Sequence, residues 1–451
     1  MNILSKTHFR GRGTKFLYQL EPIMNIPRRS TSDQPVLIPL ELEDLLRTPW
    51  IRAHLYSVGF HFLHFETYRK FHHLLFVGGA GAIKTIAFDI ASFIKREMKS
   101  EQSQLGKELL DLVYLSSNYN LSIHLNMGTE DSSNLIATRH KFTLSKWFFI
   151  TFGYFASYSP SIDTDLFIDQ VINIYLNAKN SDIKRSNENI KVKTDDNQVL
   201  SLLVSYFDTV NINYCKLYDL RDDKYIILND SINEKIELPP LPRIHNRHRL
   251  VKALMHCESY RALLKPNHNF AKNLLDLGFD LNPRNHSILK YQLSFYDGLG
   301  DFFLAREASN LLYNLHEQGV ASNMRCNLYH VIKTILSTNT LLSKIAVAYN
   351  LHLALDDSVM HDTIVSEYIP NFYHDKEIKH DRDVREFEEE FLADYFEAYV
   401  GALYLEQPDV AAAFVREIYN NLVTTITRVV PPDVSYLMWT TNIVGRSLVG
   451  R

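Results

Sequence analysis

From Leu392 to Leu405 the chain reads Leu-Ala-Asp-Tyr-Phe-Glu-Ala-Tyr-Val-Gly-Ala-Leu-Tyr-Leu, an apolar helical pattern broken by two acids, Asp394 and Glu397. Residues three apart lie on one face of a helix. Paired acids on a helix usually mark its solvated side, but this segment is apolar in nearly every direction. Burying two carboxylates together is costly unless another charge compensates them. A hard divalent cation held by carboxylate oxygens is the usual compensation. The segment therefore predicts a buried helix carrying half of a metal site, and it requires more acids from elsewhere in the chain.

The segment Leu293-Ser294-Phe295-Tyr296-Asp297-Gly298-Leu299-Gly300-Asp301 supplies them. Asp297 and Asp301 are four apart and share a helix face, so four acids, two per helix, can converge between packed helices. Residues 392–405 resemble the second signature of the ribonuclease III family, roughly L-A-D-x-F-E-A-x-I-G-A-L-Y. Residues 293–301 resemble its first, E-R-L-E-F-L-G-D. Gly300 and Asp301 fit the G-D pair, and Asp297 stands where the family has its second Glu. Ser294 stands where the family has its first Glu, and Phe295 replaces the Arg. Between the two signatures, Gly319-Val320-Ala321-Ser322-Asn323-Met324-Arg325 resembles E-G-x-L-S-x-M-R, with Gln318 at the Glu position. The helix starting at Asn339-Thr340-Leu341-Leu342 resembles the next family helix. Upstream, Leu238 to Ile244 resembles the proline-rich lead-in of the fungal nuclear members, and Ala253 to Ser259 replaces the family's F-T-H-K-S. The resemblance runs in order from residue 238 to about 425.

The resemblance implies a mainly α protein with a ribonuclease III-type helical endonuclease domain. It implies Mg2+- or Mn2+-dependent hydrolysis of phosphodiesters in double-stranded RNA, in RNA processing including that of rRNA. Asp297, Asp301, Asp394 and Glu397 would be both the catalytic residues and the metal ligands. In the family two such domains pair, each cutting one strand, so a homodimer through this domain is expected. The alternative is a catalytically inactive ribonuclease III-fold protein that binds RNA or serves as a scaffold, for example in the mitochondrial ribosome. Ser294, Asp297 and Gln318, the departures from the family pattern, favour it. Residues 426–451 are too few for the RNA-binding domain that follows the nuclease in many members. RNA contacts are therefore expected from a basic cluster, Arg243, Arg247, Arg249 and Lys252, with His245 and His248 among them. Duplex RNA is read mainly through phosphates and 2′-hydroxyls, which such residues suit.

Composition narrows the remaining classes. Forty-eight basic residues against 52 acidic ones leave a net charge of −4, so RNA binding has to rely on local patches. Cys215, Cys257 and Cys326 are odd in number and widely spaced, which points to a reducing compartment. The longest apolar stretch noted, Phe148 to Tyr158, is too short to span a membrane. Residues 1–35 read as a basic arm or targeting segment, with Lys6, Arg10, Arg12 and Lys15 and no acid before residue 21. The nucleus or nucleolus is the expected location and the mitochondrion the alternative.

Residues 36–236 read as a separate N-terminal region. Helices are predicted over Leu40–Arg47, Trp50–Phe76, Ile86–Met98 and Asp165–Asn177, and a polar loop from Asn180 to Asn197. Lys224–Leu228 and Lys235–Leu238 predict a β-hairpin. Pro239, Pro240 and Pro242 mark the boundary to the nuclease-like domain at 237–425, with a tail from 426. Residues 74–85 read as strand, glycine-rich loop and helix. Ile83 precedes Lys84 where a phosphate-binding loop needs Gly, so a plain glycine-rich turn is expected. His54, His61, His64, His72 and His73 lack Cys or Asp at ligand spacing and read as exposed imidazoles on a packed helix.

Overall fold

A computed structural model of the chain describes residues 194–218, 224–228, 234–317, 326–374 and 382–429, with six positions between 77 and 88. The chain divides into two compact units, residues 1–90 with 104–190, and 91–103 with 191–451. In the first unit, Val77, Gly78, Gly81, Ala82, Thr85 and Phe88 are all helical. Ala82 and Phe88 are buried, and the Thr85 hydroxyl donates to the Ala82 carbonyl at 2.7 Å. This corrects the strand-then-loop reading of residues 74–85, because Val77 and Gly78 already lie in helix. Phe88 lies in the predicted helix Ile86–Met98, and the rest of that helix, the histidine run, the other predicted helices of residues 36–177 and the N-terminal arm fall outside the described residues.

The second unit is mainly helical. It opens with α1 (Thr194–Thr209), β1 (Asn211–Ile212), α2 (Tyr214–Tyr218) and a hairpin of β2 (Tyr225–Ile227) and β3 (Lys235–Glu237). The hairpin is antiparallel, with Ile226 opposite Ile236, and both side chains are buried. The predicted polar loop ends sooner than expected, because residues 194–197 already belong to α1. Short helices follow: α3 (Arg247–Ala253), α4 (Tyr260–Leu263), α5 (Asn269–Asp276) and α6 (Ser287–Leu293). Then come α7 (Phe295–Glu317), α8 (Cys326–Leu336), α9 (Asn339–Ala348), β4 (Leu355–Asp356), α10 (Ser358–Thr363) and α11 (Pro370–His374). The unit closes with α12 (Arg382–Glu406) and α13 (Pro408–Val429).

The core is organised around α12, which packs along α7 and α9 and is covered by α13. Phe391, Leu392, Ala393, Tyr395, Phe396, Tyr399, Val400, Ala402 and Leu403 are all buried. A helix that is apolar all round belongs in an interior. Its contact with α7 is backbone to backbone. A β-carbon on Gly300 would overlap the Glu397 carbonyl, and one on Gly401 would overlap the Tyr296 carbonyl and come within 3.0 Å of the Gly300 nitrogen. Only two glycines allow this separation.

The proline run lies inside the second unit. Residues 194–228 belong to the same unit as the nuclease-like region, and β1 pairs antiparallel with β4, Asn211 opposite Asp356. Prolines lack an N–H, so an extended proline segment presents carbonyls alone. Tyr349 donates to the Pro239 carbonyl and Tyr399 to that of Pro242, each at 2.6 Å. Two core tyrosines thus hold the segment against α9 and α12.

A second tie joins α1 to the body. Asp357 caps α10 by accepting the Met360 N–H on Oδ1 at 3.0 Å. Its Oδ2 accepts from the Tyr206 hydroxyl at 2.8 Å and from His268 Nε2 at 2.9 Å. Burial would raise the Asp357 pKa, but the hydrogen bonds from His268, Met360 and Tyr206 hold it down at about 2. A carboxyl depressed on folding stabilises above its unfolded pKa, and that contribution is lost as pH falls through the folded value.

Two outcomes are expected. Asp357→Asn keeps the cap but removes the charge, so it should destabilise the protein at pH 7 by on the order of 1–2 kcal/mol. In denaturant titrations that difference should shrink below about pH 4 and disappear near pH 2. Gly401→Ala should destabilise by about 3 kcal/mol or more, since the new methyl meets backbone rather than a movable side chain. A Gly401→Ala protein that melts like the wild type would contradict the crossing geometry.

Candidate metal centre

The crossing of α7 and α12 brings three of the four sequence-predicted acids together. Asp297 comes from the first turn of α7, and Asp394 and Glu397 project from α12. Carboxylate oxygens of the three lie within 4.8 Å of one another. Glu397 is buried, and Asp297 and Asp394 are half-buried. Asp301, one turn further along α7, is exposed and is not part of that set. Its charge still acts nearby. Burial lowers the pKa of Lys333 on α8, and Asp301 opposes that shift.

Tyr419 of α13 feels the charge of Glu397 and Asp301. Burial raises its phenol pKa most, and the charges of Glu397, Glu307 and Asp301 raise it further. Its hydroxyl is buried and has no hydrogen-bond partner among the described residues. Three hard oxygen ligands within 4.8 Å of one another, one of them buried, fit a divalent cation such as Mg2+ or Mn2+.

Ser294 stands at the family's first Glu position, and its hydroxyl donates to the Tyr291 carbonyl at 3.5 Å. It is buried in the turn between α6 and α7, its N–H donates to Lys290 at 3.0 Å and its carbonyl accepts from Gly298 at 3.4 Å. The first motif is therefore two helices joined at Ser294 rather than one. Gln318 and residues 319–325 lie outside the described residues.

The basic cluster is largely built into the fold. Arg247 donates to the Phe207 carbonyl at 3.1 Å and to that of Val210, at the end of α1. Cations at a helix C-terminus satisfy its free carbonyls. Arg249 does the same for α12, donating to Leu405 at 2.8 Å. Lys252 is buried over the Tyr296 ring, 4.5 Å from its centroid. Arg243 is the exposed member of the four and lies over Tyr218. The positive ends of the other three serve α1, α12 and α7.

Sequence reasoning assigned no role to His256, which belongs to the site. Its Nε2 lies 2.8 Å from Asp394 Oδ2, and a second set of three ligand atoms within 4.8 Å joins His256, Cys257 and Asp394. Burial would lower the imidazole pKa, but Cys257 and then Asp394 more than offset it and push it up to about 10. A hydrogen bond weighs against the doubly protonated ring. The Glu258 N–H donates to Nδ1 at 3.1 Å, so that nitrogen is the acceptor and the ring proton sits on Nε2. His256 could have been noticed as the counterpart of the His in F-T-H-K-S.

Residues 295–408 match the family model of the ribonuclease III domain. The chain carries a ribonuclease III domain. The matched stretch begins one residue after Ser294 and contains all three converging acids. No curated protein and no solved structure matches the chain. Among the described residues, no helix is long and apolar enough to cross a membrane.

The clustered carboxylates repel one another without a cation. Millimolar Mg2+ should raise the thermal midpoint of the ribonuclease III domain, by up to about 2.7 kcal/mol of stability at a hundredfold excess over Kd. Asp394→Asn should melt higher than the wild type in chelator and gain little from Mg2+. A wild-type midpoint indifferent to both Mg2+ and Mn2+ would count against a metal centre.

Proposed function

We propose that this protein is an endoribonuclease that hydrolyses phosphodiester bonds of double-stranded RNA in RNA processing, using Mg2+ or Mn2+. The observation that carries the reading is the meeting of Asp297, Asp394 and Glu397 within 4.8 Å at a glycine-to-glycine helix crossing inside the ribonuclease III domain. Asp297, Asp394 and Glu397 hold the cation, with Asp301 at the exposed rim beside them. A bound divalent cation polarises the scissile phosphate and lowers the pKa of a water.

The chain's own contribution is placement. Glu397 is fixed by burial, and its backbone is locked by the Gly300 contact. Asp297 sits in the first turn of α7, where the helix dipole favours a negative charge. Hydrolysis forms a bond from phosphorus to a water oxygen and breaks one ester bond, whose oxygen leaves with a proton. Cutting both strands of a duplex takes two such centres. With one ribonuclease III domain in the sequence, a homodimer through that domain is the assembly that supplies them.

A second reading, an RNA-binding scaffold without catalysis, is favoured by one observation. Asp301 lies outside the converging set, so the centre has three close acids where the family pattern offers more. One experiment separates the two. The full chain is incubated with hairpin RNA in Mg2+, alongside Glu397→Gln and Asp297→Ala. Metal-dependent cutting that falls to background in both variants supports the enzyme. An inactive wild type, with an Asp297→Ala protein that is more stable, would leave the scaffold, because removing one charge from a crowded acidic pocket then relieves repulsion and disables nothing.

A further inference from the structure

The histidine against Asp394 is a device whose purpose the acid cluster alone does not explain. His256 is the N-cap of the 3-10 turn Cys257–Ser259, and its Nδ1 accepts the Glu258 N–H at 3.1 Å. That bond fixes the tautomer and aims Nε2–H at Asp394 Oδ2, 2.8 Å away. The ring is also held sideways. It packs on Phe391 with centroids 3.9 Å apart, and Phe391 stacks on Tyr368 at 4.8 Å and 11°. The imidazole can neither flip nor swing away without unmaking the cap and the stack.

Asp394 belongs to both close sets, the one with Asp297 and Glu397 and the one with His256 and Cys257. Both nitrogens of His256 are already hydrogen-bonded, so the ring offers no lone pair and the second set is not a separate cation site. We infer that His256 is a positioning residue: it holds one oxygen of Asp394 so that the carboxylate presents its other oxygen to a divalent cation shared with Asp297 and Glu397. This rests on the reading of the acid cluster as a metal centre. Hydrogen-bonded partners of metal ligands typically change affinity or activity 10- to 100-fold when removed.

The molecule contains its own control. His268 caps α5 through Nδ1, which accepts the Phe270 N–H at 3.0 Å, and points Nε2 at Asp357 at 2.9 Å. The local chemistry is the same, but Asp357 lies in the tie to α1 rather than in the acid cluster.

The test uses the full chain with Mn2+ as the probe, and free ion is measured by electron paramagnetic resonance. His256→Asn keeps a capping oxygen for the Glu258 N–H but is too short to reach Asp394. His256→Gln can reach it with an amide N–H. Mn2+ binding should weaken at least tenfold in the Asn variant and recover most of that in the Gln variant. His268→Asn should lower the melting midpoint and leave Mn2+ binding unchanged. A His256→Asn protein that binds Mn2+ like the wild type overturns the positioning role, even if it cuts RNA. So does a wild type whose Mn2+ binding does not depend on Asp394. A wild type that shows the whole binding pattern yet cuts no RNA overturns the proposed enzyme and leaves the positioning role standing.

Discussion

Everything at the centre of this protein depends on two helices touching through their backbones. Gly300 and Gly401 leave no side chain between α7 and α12 at their crossing, and the Glu397 carbonyl lies against Gly300 itself. Close approach is what glycine permits and any β-carbon forbids. Asp297 precedes Gly300 by three residues and Glu397 precedes Gly401 by four, so each acid stands about one turn from the contact. The separation of the helices therefore sets the separation of the carboxylates. The acid geometry is a by-product of packing, and the core around it, from Phe396 to Tyr419, keeps that packing rigid.

The charges that share this interior are sorted into local arrangements. Glu307, fully buried, takes Arg416 at 2.8 Å and Arg306 at 3.1 Å, with Arg306 lying over the rings of Phe303 and Tyr404. Lys344 donates to the carbonyls of Ile227 and Leu228 and so anchors the β2–β3 hairpin on α9. Glu388 accepts the N–H groups of Asn371 and Phe372 at the start of α11. Each is a buried charge with a named compensation, as a low-dielectric interior requires. The three clustered acids differ in kind, because like charges are gathered within 4.8 Å of one another.

Some of this was readable in the sequence for a physical reason. A stretch from Leu392 to Leu405 that is apolar on nearly every side except at Asp394 and Glu397 has few places to go but the core, and that part of α12 is there. The β2–β3 hairpin followed from two short alternating runs around a polar turn. Where the structure adds to the sequence reading, the causes are equally specific. Prolines at 239, 240 and 242 look like a linker, yet an extended segment with carbonyls and few N–H groups is also what two buried tyrosine hydroxyls can hold. Arg247 and Arg249 look like a phosphate-binding patch because their acceptors, the free carbonyls ending α1 and α12, are distant in sequence. The break at Ser294 was hidden because the motif aligned as one helix. His256 escaped notice because its partner, Asp394, is 138 residues away.

The distance along the chain between the two halves of the acid set has a consequence for how the protein is made. Asp297 and Glu397 are separated by about a hundred residues, and both are set by a contact that exists only when α12 has docked on α7. Contacts of high sequence separation form late, and chains emerging from the ribosome fold from the N-terminal side first. A nascent chain still lacking α12 can order α1, the hairpin and α7 and yet hold Asp297 as an isolated acid. The centre is thus absent until α12 has been made and has docked on α7, with Gly401 against Tyr296.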